Sequence, residues 1–365
     1  MWLPVKSAST ASADENEGTS GFAGAVDWSV AAKAGAKLAR PGPATSRYTA
    51  EAAVEELAAA SIRAEGPVRE TTGLADGLPV PDAQVVDRAG WIAAAASSMK
   101  HLTGDDDDTP PSGLLGGKPA GLQAGAMLAF LSSAILGQYD PFTGENGTLL
   151  LVAPNVIAVE RALRVSPSDF RLWVCLHEVT HRVQFSSAPW LGGYMRENVG
   201  VLSDGTDEPL SDVANRLTGA LKARKNPSGT TKSEDAGIVG LLRATQPQPQ
   251  RDAIDRLLVL GTLLEGHADH VMDAVGPAVV PTVTQIRGAF DQRRRRKVSP
   301  LQRVVRALLG MDAKMAQYVR GKAFVDHVVA AVGMERFNTV WTGPDTLPLL
   351  SEIENPDAWI ARVLG

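Results

Sequence analysis

The chain has 365 residues, 44% of them hydrophobic and 21% charged, with a formal net charge of −5. That length can bury a sizeable core, in one large domain or two small ones. The acidic balance gives no global drive toward nucleic acid or an anionic membrane, so neither is expected as a partner. Cys175 is the only cysteine, so no intrachain disulfide can form, which suits a reducing cytoplasm.

Residues 1–21 are rich in Ser, Ala, Thr and Glu and lack an apolar signal core. They read as a disordered tail, with 22–365 as the folded domain. Residues 51–64, rich in Ala and Glu, form an amphipathic helix pattern, and residues 91–99 form a second. The acidic run at 104–111 lacks the spacing of a Ca²⁺ loop and reads as a solvated turn. A third helix is expected over 120–137. Its apolar part, 124–137, falls short of the ~20 residues a membrane span needs, so it reads as a core helix. A strand follows at 148–153, after the turn-forming Glu145-Asn146-Gly147. It is either an edge that an extended peptide could join or a plain buried strand.

Ser166, Pro167 and Asp169 then open a helix, as N-cap, first helical residue and first-turn acid. It should run to about Phe185, because Pro189 follows. Cys175 lies inside it in apolar company and reads as a structural thiol rather than a nucleophile. Residues 223–237, polar and Gly/Pro-bearing, form a loop that is either a lid or plain surface. A further helix spans 256–272. The basic run at 293–297 has no interleaved aromatics and reads as a solvated helix end. Most of the chain is therefore helical, giving a mainly α fold with a small β element.

The chemistry sits in His177-Glu178-Val179-Thr180-His181, an H-E-x-x-H run on the helix that Ser166 opens. Side chains four apart on a helix share a face. Two imidazoles in that relation can hold one Zn²⁺, each nitrogen ~2.0–2.1 Å from it. Glu178 is rotated by ~100° from His177 and can lie beside the metal as a general base without ligating it. The competing reading is a pair of satisfied core histidines. A catalytic zinc needs a third protein ligand and keeps one position open for water. One known arrangement places a third His six residues after the second, with a Gly between, and those positions hold Ser187 and Gln184. Glu265 and Asp269, four apart on the helix over 256–272, share a face with Leu258, Gly261 and Met272. Carboxylates on such a face are costly unless something positive meets them. Glu265 is the expected metal ligand. Asp269, one turn on, is the expected acceptor for the free ring N–H of a ligand His. The competing reading is a solvated polar stripe. His267 and His270 compete for the ligand role but lie off the Glu265 face on an ideal helix.

These residues resemble the gluzincin metallopeptidases, in which H-E-x-x-H pairs with a downstream Glu ligand and an Asp four residues later supports a ligand His. The chain more closely resembles a zincin-like hydrolase family named for an association with deazaflavin-coenzyme biosynthesis. The stretches that carry this resemblance lie at 26–28, 71–74, 85–88, 169–177, 184–185, 189–191, 264–269 and 314–318. Two features depart from the thermolysin-like pattern. Leu264 stands where Asn is common, and the gap from His181 to Glu265 is much longer.

The resemblance implies a zincin-like fold with its β element near the active-site cleft. It also implies a zinc hydrolase, most simply a cytoplasmic metallopeptidase acting on a peptide or protein substrate. His177, His181 and Glu265 would bind zinc, and Glu178 would activate a zinc-bound water and pass its proton to the leaving amine. Tyr318, His327 and His270 are candidate donors to the oxyanion, with Tyr318 preferred because it lies in a family-like stretch. Two alternatives stay open: a zinc-binding scaffold with little turnover, and a non-peptide amidohydrolase in a cofactor pathway.

Overall fold

The helix that carries the H-E-x-x-H run begins where its capping residues place it. The Ser166 side chain accepts from the Asp169 backbone N–H, and Pro167 is the first helical residue. In the computed structural model, which describes residues 26–104, 117–144, 146–203, 246–295 and 311–365, this helix runs over Pro167–Ser187. Side chains at 291, 293–295 and 311–318 lie outside that description. So do the expected tail (1–21), the tips of the acidic loop, the loop over 223–237, and most of the basic run.

In chain order the main elements are α1 (Trp28–Leu38), α2 (Arg47–Thr72), β1 (Gln84–Val86), α3 (Arg88–Leu102), α4 (Lys118–Leu131), β2 (Gly137–Asp140), β3 (Thr148–Val152), α5 (Ala153–Leu163), α6 (Pro167–Ser187), α7 (Trp190–Ser203), α8 (Gln248–Val275), α9 (Val283–Arg295) and α10 (Met311–Val332). Short helical turns follow to the C-terminus. The fold is mainly α with one three-stranded sheet, as expected. No helix among the described residues is long and apolar enough to cross a membrane.

α6 is the central helix. On one side it packs against α2 through Leu57, Cys175, Val179 and Val183 in the largest core cluster, which also takes in Leu149 and Leu151 of β3. On the other side it meets α8. A buried ion pair ties α6 to α2, with Arg182 donating to Glu65, which also accepts from Arg69 at 2.6 Å. That pair explains a difference from expectation. α2 continues past Gly66 and through Pro67, where a helix ordinarily stops. Residues 65, 68 and 72 are buried against α6 and the sheet, and their packing outweighs the lost backbone bond. The helix ends at Gly73, whose φ of 65° is left-handed.

The sheet order is β1-β3-β2. β3 pairs in parallel with β1 and antiparallel with β2, and Leu149 through Val152 are buried. The strand expected at 148–153 is therefore the central one, with no edge for a peptide to join. The edge beside α6 is β2, which lies where the third helix was expected to end. That helix stops at Leu131 because the hydroxyls of Ser132 and Ser133 turn back onto the carbonyls of Ala129 and Phe130. Asn155 then holds the reversed chain by donating to the carbonyls of Ser132 (2.7 Å) and Ile135 (2.5 Å).

α8 and α10 cross at Gly266 and Gly321. A Cβ on Gly266 would lie 2.1 Å from the Gly321 carbonyl carbon, so only glycine permits this approach. The contact stands beside Glu265, and it fixes the depth at which α8 carries that carboxylate.

Candidate metal centre

Helical spacing on α6 puts His177 and His181 on one face, and α8 crosses that face at Glu265. The Nε2 atoms of the two histidines are 3.2 Å apart. Glu265 Oε2 is 3.3 Å from His177 Nε2 and 3.7 Å from His181 Nε2. A tetrahedral ion with ligands at ~2.0–2.2 Å needs donor atoms roughly 3.3–3.6 Å apart. The three separations, 3.2, 3.3 and 3.7 Å, fall within 0.1 Å of that range. Among the described residues this is the single group of His, Cys, Asp and Glu side chains so arranged.

Hydrogen bonding alone does not account for the triangle. Glu265 Oε2 is buried and faces the Nε2 atoms of both histidines, at 3.3 and 3.7 Å, without a well-formed hydrogen bond. A buried acceptor left unmatched is costly, so three basic atoms facing one another call for a cation between them. A zinc ion fits this donor set: two imidazoles, one carboxylate and a fourth side left open. Without a metal the cluster draws in protons. Burial pulls the His181 pKa down, but Glu265, Glu178 and Gln184 outweigh it and hold the ring at about 9. Burial likewise works against charge on Glu265, yet the two imidazoles hold its carboxyl well below the usual carboxylate range. The three side chains keep 14–23% of their surface exposed, enough for a small group to reach the open side.

Glu178 is 7% exposed and leans on β2. A Cβ placed on Gly137 would lie 2.6 Å from its Cγ, 2.7 Å from its Cδ and 2.9 Å from its Oε1. The carboxylate thus occupies the space that any other residue at 137 would take. This brings the edge strand, the acid/base candidate and the imidazole pair to one place.

The partners of the ring nitrogens differ from expectation. His181 Nδ1 lies 2.9 Å from Gln184 Oε1, and His177 Nδ1 lies 3.3 Å from the Met272 thioether. Asp269, assigned from sequence to this supporting role, instead receives Arg287 Nη1 at 2.5 Å. Arg287 comes from α9, also pairs with Asp273 at 2.7 Å, and rests over the Trp173 ring. A cation from another helix has captured the carboxylate, and nothing on α8 itself announces that.

The competing histidines are also placed elsewhere. His270 Nδ1 is 2.7 Å from Asp326. His267 is fully buried against Phe337 and Trp341, where burial, with the charges on His270 and His181, pushes its pKa down to about 3. His327 pairs with Asp357 at 2.7 Å in an exposed position. Tyr318 lies on α10, but its side chain is outside the described residues.

Sequence reading gave Gln184 no role at the site and passed over Gly137. Gln184 carried a usable signal, since it lies one turn past His181 on an inward face. Gly137 carried none, because its role depends on a strand that sequence placed inside a helix.

The helical scaffold brings two histidines, one carboxylate and a buried second carboxylate together, the donor set and acid/base group that a metal-dependent hydrolase uses. The comparisons agree with that class. The profile of the zincin-like metallopeptidase family matches residues 26–360, and the chain belongs to that family. A protein from Chloroflexus aurantiacus, described with its crystal structure as a candidate hydrolase with a novel fold, is similar over 92% of this chain and 98% of its own. The two are 30% identical, with a TM-score of 0.62. No curated protein matches the sequence.

Proposed function

We propose that the protein is a zinc-dependent hydrolase that cleaves peptide bonds. The observation that carries this reading is the juxtaposition of the His177–His181–Glu265 triangle with the Glu178 carboxylate and the edge strand β2. His177, His181 and Glu265 would hold the metal. A zinc ion there supplies Lewis acidity toward a carbonyl and makes water acidic enough to ionise near pH ~7.

The remaining work falls to this chain's own groups. Glu178, beside the imidazole pair but outside the triangle, takes the proton of the attacking water and delivers it to the leaving amine nitrogen. Its burial limits competition from bulk water. β2 supports a peptide over a compact small molecule. An extended chain laid along that edge would gain main-chain hydrogen bonds and pass its amides beside Glu178.

The test is a diverse peptide library incubated with zinc-loaded protein and read by mass spectrometry, with Glu178→Gln in parallel. Cleavage by the native chain should fall ~10²–10⁴-fold in the variant while zinc stays bound. Equal cleavage by both removes Glu178 from the reaction. No cleavage by either removes the peptidase reading and points to a closed-pocket amide substrate.

A further inference from the structure

Gln184 is fully buried on α6, three residues beyond His181, and both ends of its amide are engaged. Its Nε2 lies 2.9 Å from the backbone carbonyl of Leu264 and 3.0 Å from His267 Nδ1. A carbonyl oxygen only accepts, so the group facing it must be the NH₂ of the amide. The opposite end, facing His181 Nδ1 at 2.9 Å, is then the amide oxygen. That oxygen also only accepts, so His181 must carry its proton on Nδ1. A neutral ring protonated there has its lone pair on Nε2, the atom at the centre of the triangle. The reversed amide would set oxygen against the Leu264 carbonyl and leave that contact repulsive.

We propose that Gln184 is the positioning residue that selects the metal-binding tautomer of His181 and clamps α6 to α8 at the residue before Glu265. This rests on the metal-centre reading above. One side chain thereby fixes two of the three ligands: the protonation pattern of His181, and the distance of Glu265 from it. His267 completes the arrangement. Its Nδ1 accepts the second amide proton, and its ring is wedged between Phe337 and Trp341, so the amide is held from behind. In many metal centres a carboxylate takes the role of ring acceptor. A neutral amide here orients the imidazole without adding negative charge beside Glu178 and Glu265.

The experiment uses the full chain, native and as Gln184→Met and Gln184→Glu, with two readouts. The first is zinc affinity by chelator competition. The second is the His181 tautomer from ¹⁵N-edited NMR of the metal-free protein, read at a pH where the same spectra show the ring neutral. The native chain should show Nδ1–H. Gln184→Met, similar in length but without an acceptor, should bind zinc ~10–100-fold more weakly and show a mixed or Nε2–H tautomer. Gln184→Glu keeps an acceptor toward His181, so it should retain Nδ1–H, but its second oxygen faces the Leu264 carbonyl, so it should not restore the affinity that Met loses. A role in packing alone would not move the tautomer.

Native His181 in the Nε2–H form overturns the proposal, and needs no variant to fold. Native affinity in Gln184→Met, or Nδ1–H retained there, overturns it too. If the native chain shows Nδ1–H but binds no zinc, the metal-centre reading fails while the tautomer comparison still decides the role of Gln184.

Discussion

Gly137→Ala tests whether the Glu178 carboxylate is placed for chemistry by the edge strand. The added Cβ would lie 2.6 Å from Glu178 Cγ and 2.7 Å from Cδ. Carbon atoms pack at roughly 3.5–4.0 Å, so one partner must move by ~0.9 Å or more. The strand is poorly placed to give way, because all four β2 residues are paired in register with β3. The shift therefore falls on Glu178, whose Cγ is near the root of the side chain rather than its flexible end. A misplacement of about 1 Å in a reacting group costs on the order of 10²-fold in rate. The three atoms nearest that Cβ all belong to Glu178, so the metal should stay. Steady-state kinetics on a peptide identified by the library, with zinc content measured on the same samples, should show kcat down ~10²-fold at full zinc occupancy. Wild-type kcat would show that Glu178 has room to spare and that β2 does not place it. Loss of zinc together with activity would show that the strand supports the whole centre and not the carboxylate alone.

Two further outcomes follow from the site. Purified protein should carry about one zinc per chain, lost on Glu265→Ala; Asp269→Ala should bind zinc within ~3-fold of native in a chelator titration, because its partly exposed pair with Arg287 is worth only ~0–1 kcal/mol. An Asp269→Ala variant as empty as Glu265→Ala would return that residue to the ligand shell. The second outcome is a pH dependence. The folded-state pKa of His181 is raised to about 9 from an ordinary value near 6.5, so its contribution to the metal-free fold is complete below pH 6.5 and lost as pH rises through 9. Zinc must displace that same proton, so affinity should climb up to ~10-fold per pH unit between those limits and flatten above. Affinity flat from pH 7 to 9 would mean that His181 is already neutral in the free protein.

How far the sequence could be read tracks the range of the interactions involved. The α6 helix start, the shared face of His177 and His181, and the choice of Glu265 over His267 and His270 as the residue facing them all follow from helical geometry within one or two turns. The structure brings those three side chains together. Asp269 shows where local periodicity stops informing. Its position one turn from Glu265 is regular, but its partner is set by Arg287 on α9, and the ring N–H it was expected to receive goes to Gln184. Within the sheet, β3 was expected from the sequence and β2 was not. The stretch 124–137 is apolar enough for one continuous helix; the hydroxyls of Ser132 and Ser133 end it locally, and Asn155, far along the chain, holds the reversed carbonyls that place Gly137 on an edge strand. The candidate metal ligands were therefore legible, and the residues that would orient them were not. The distinction is physical: a ligand set needs only the right donors on matching faces, whereas a tautomer or a carboxylate rotamer is decided by contacts between helices and strands that meet only in the folded chain.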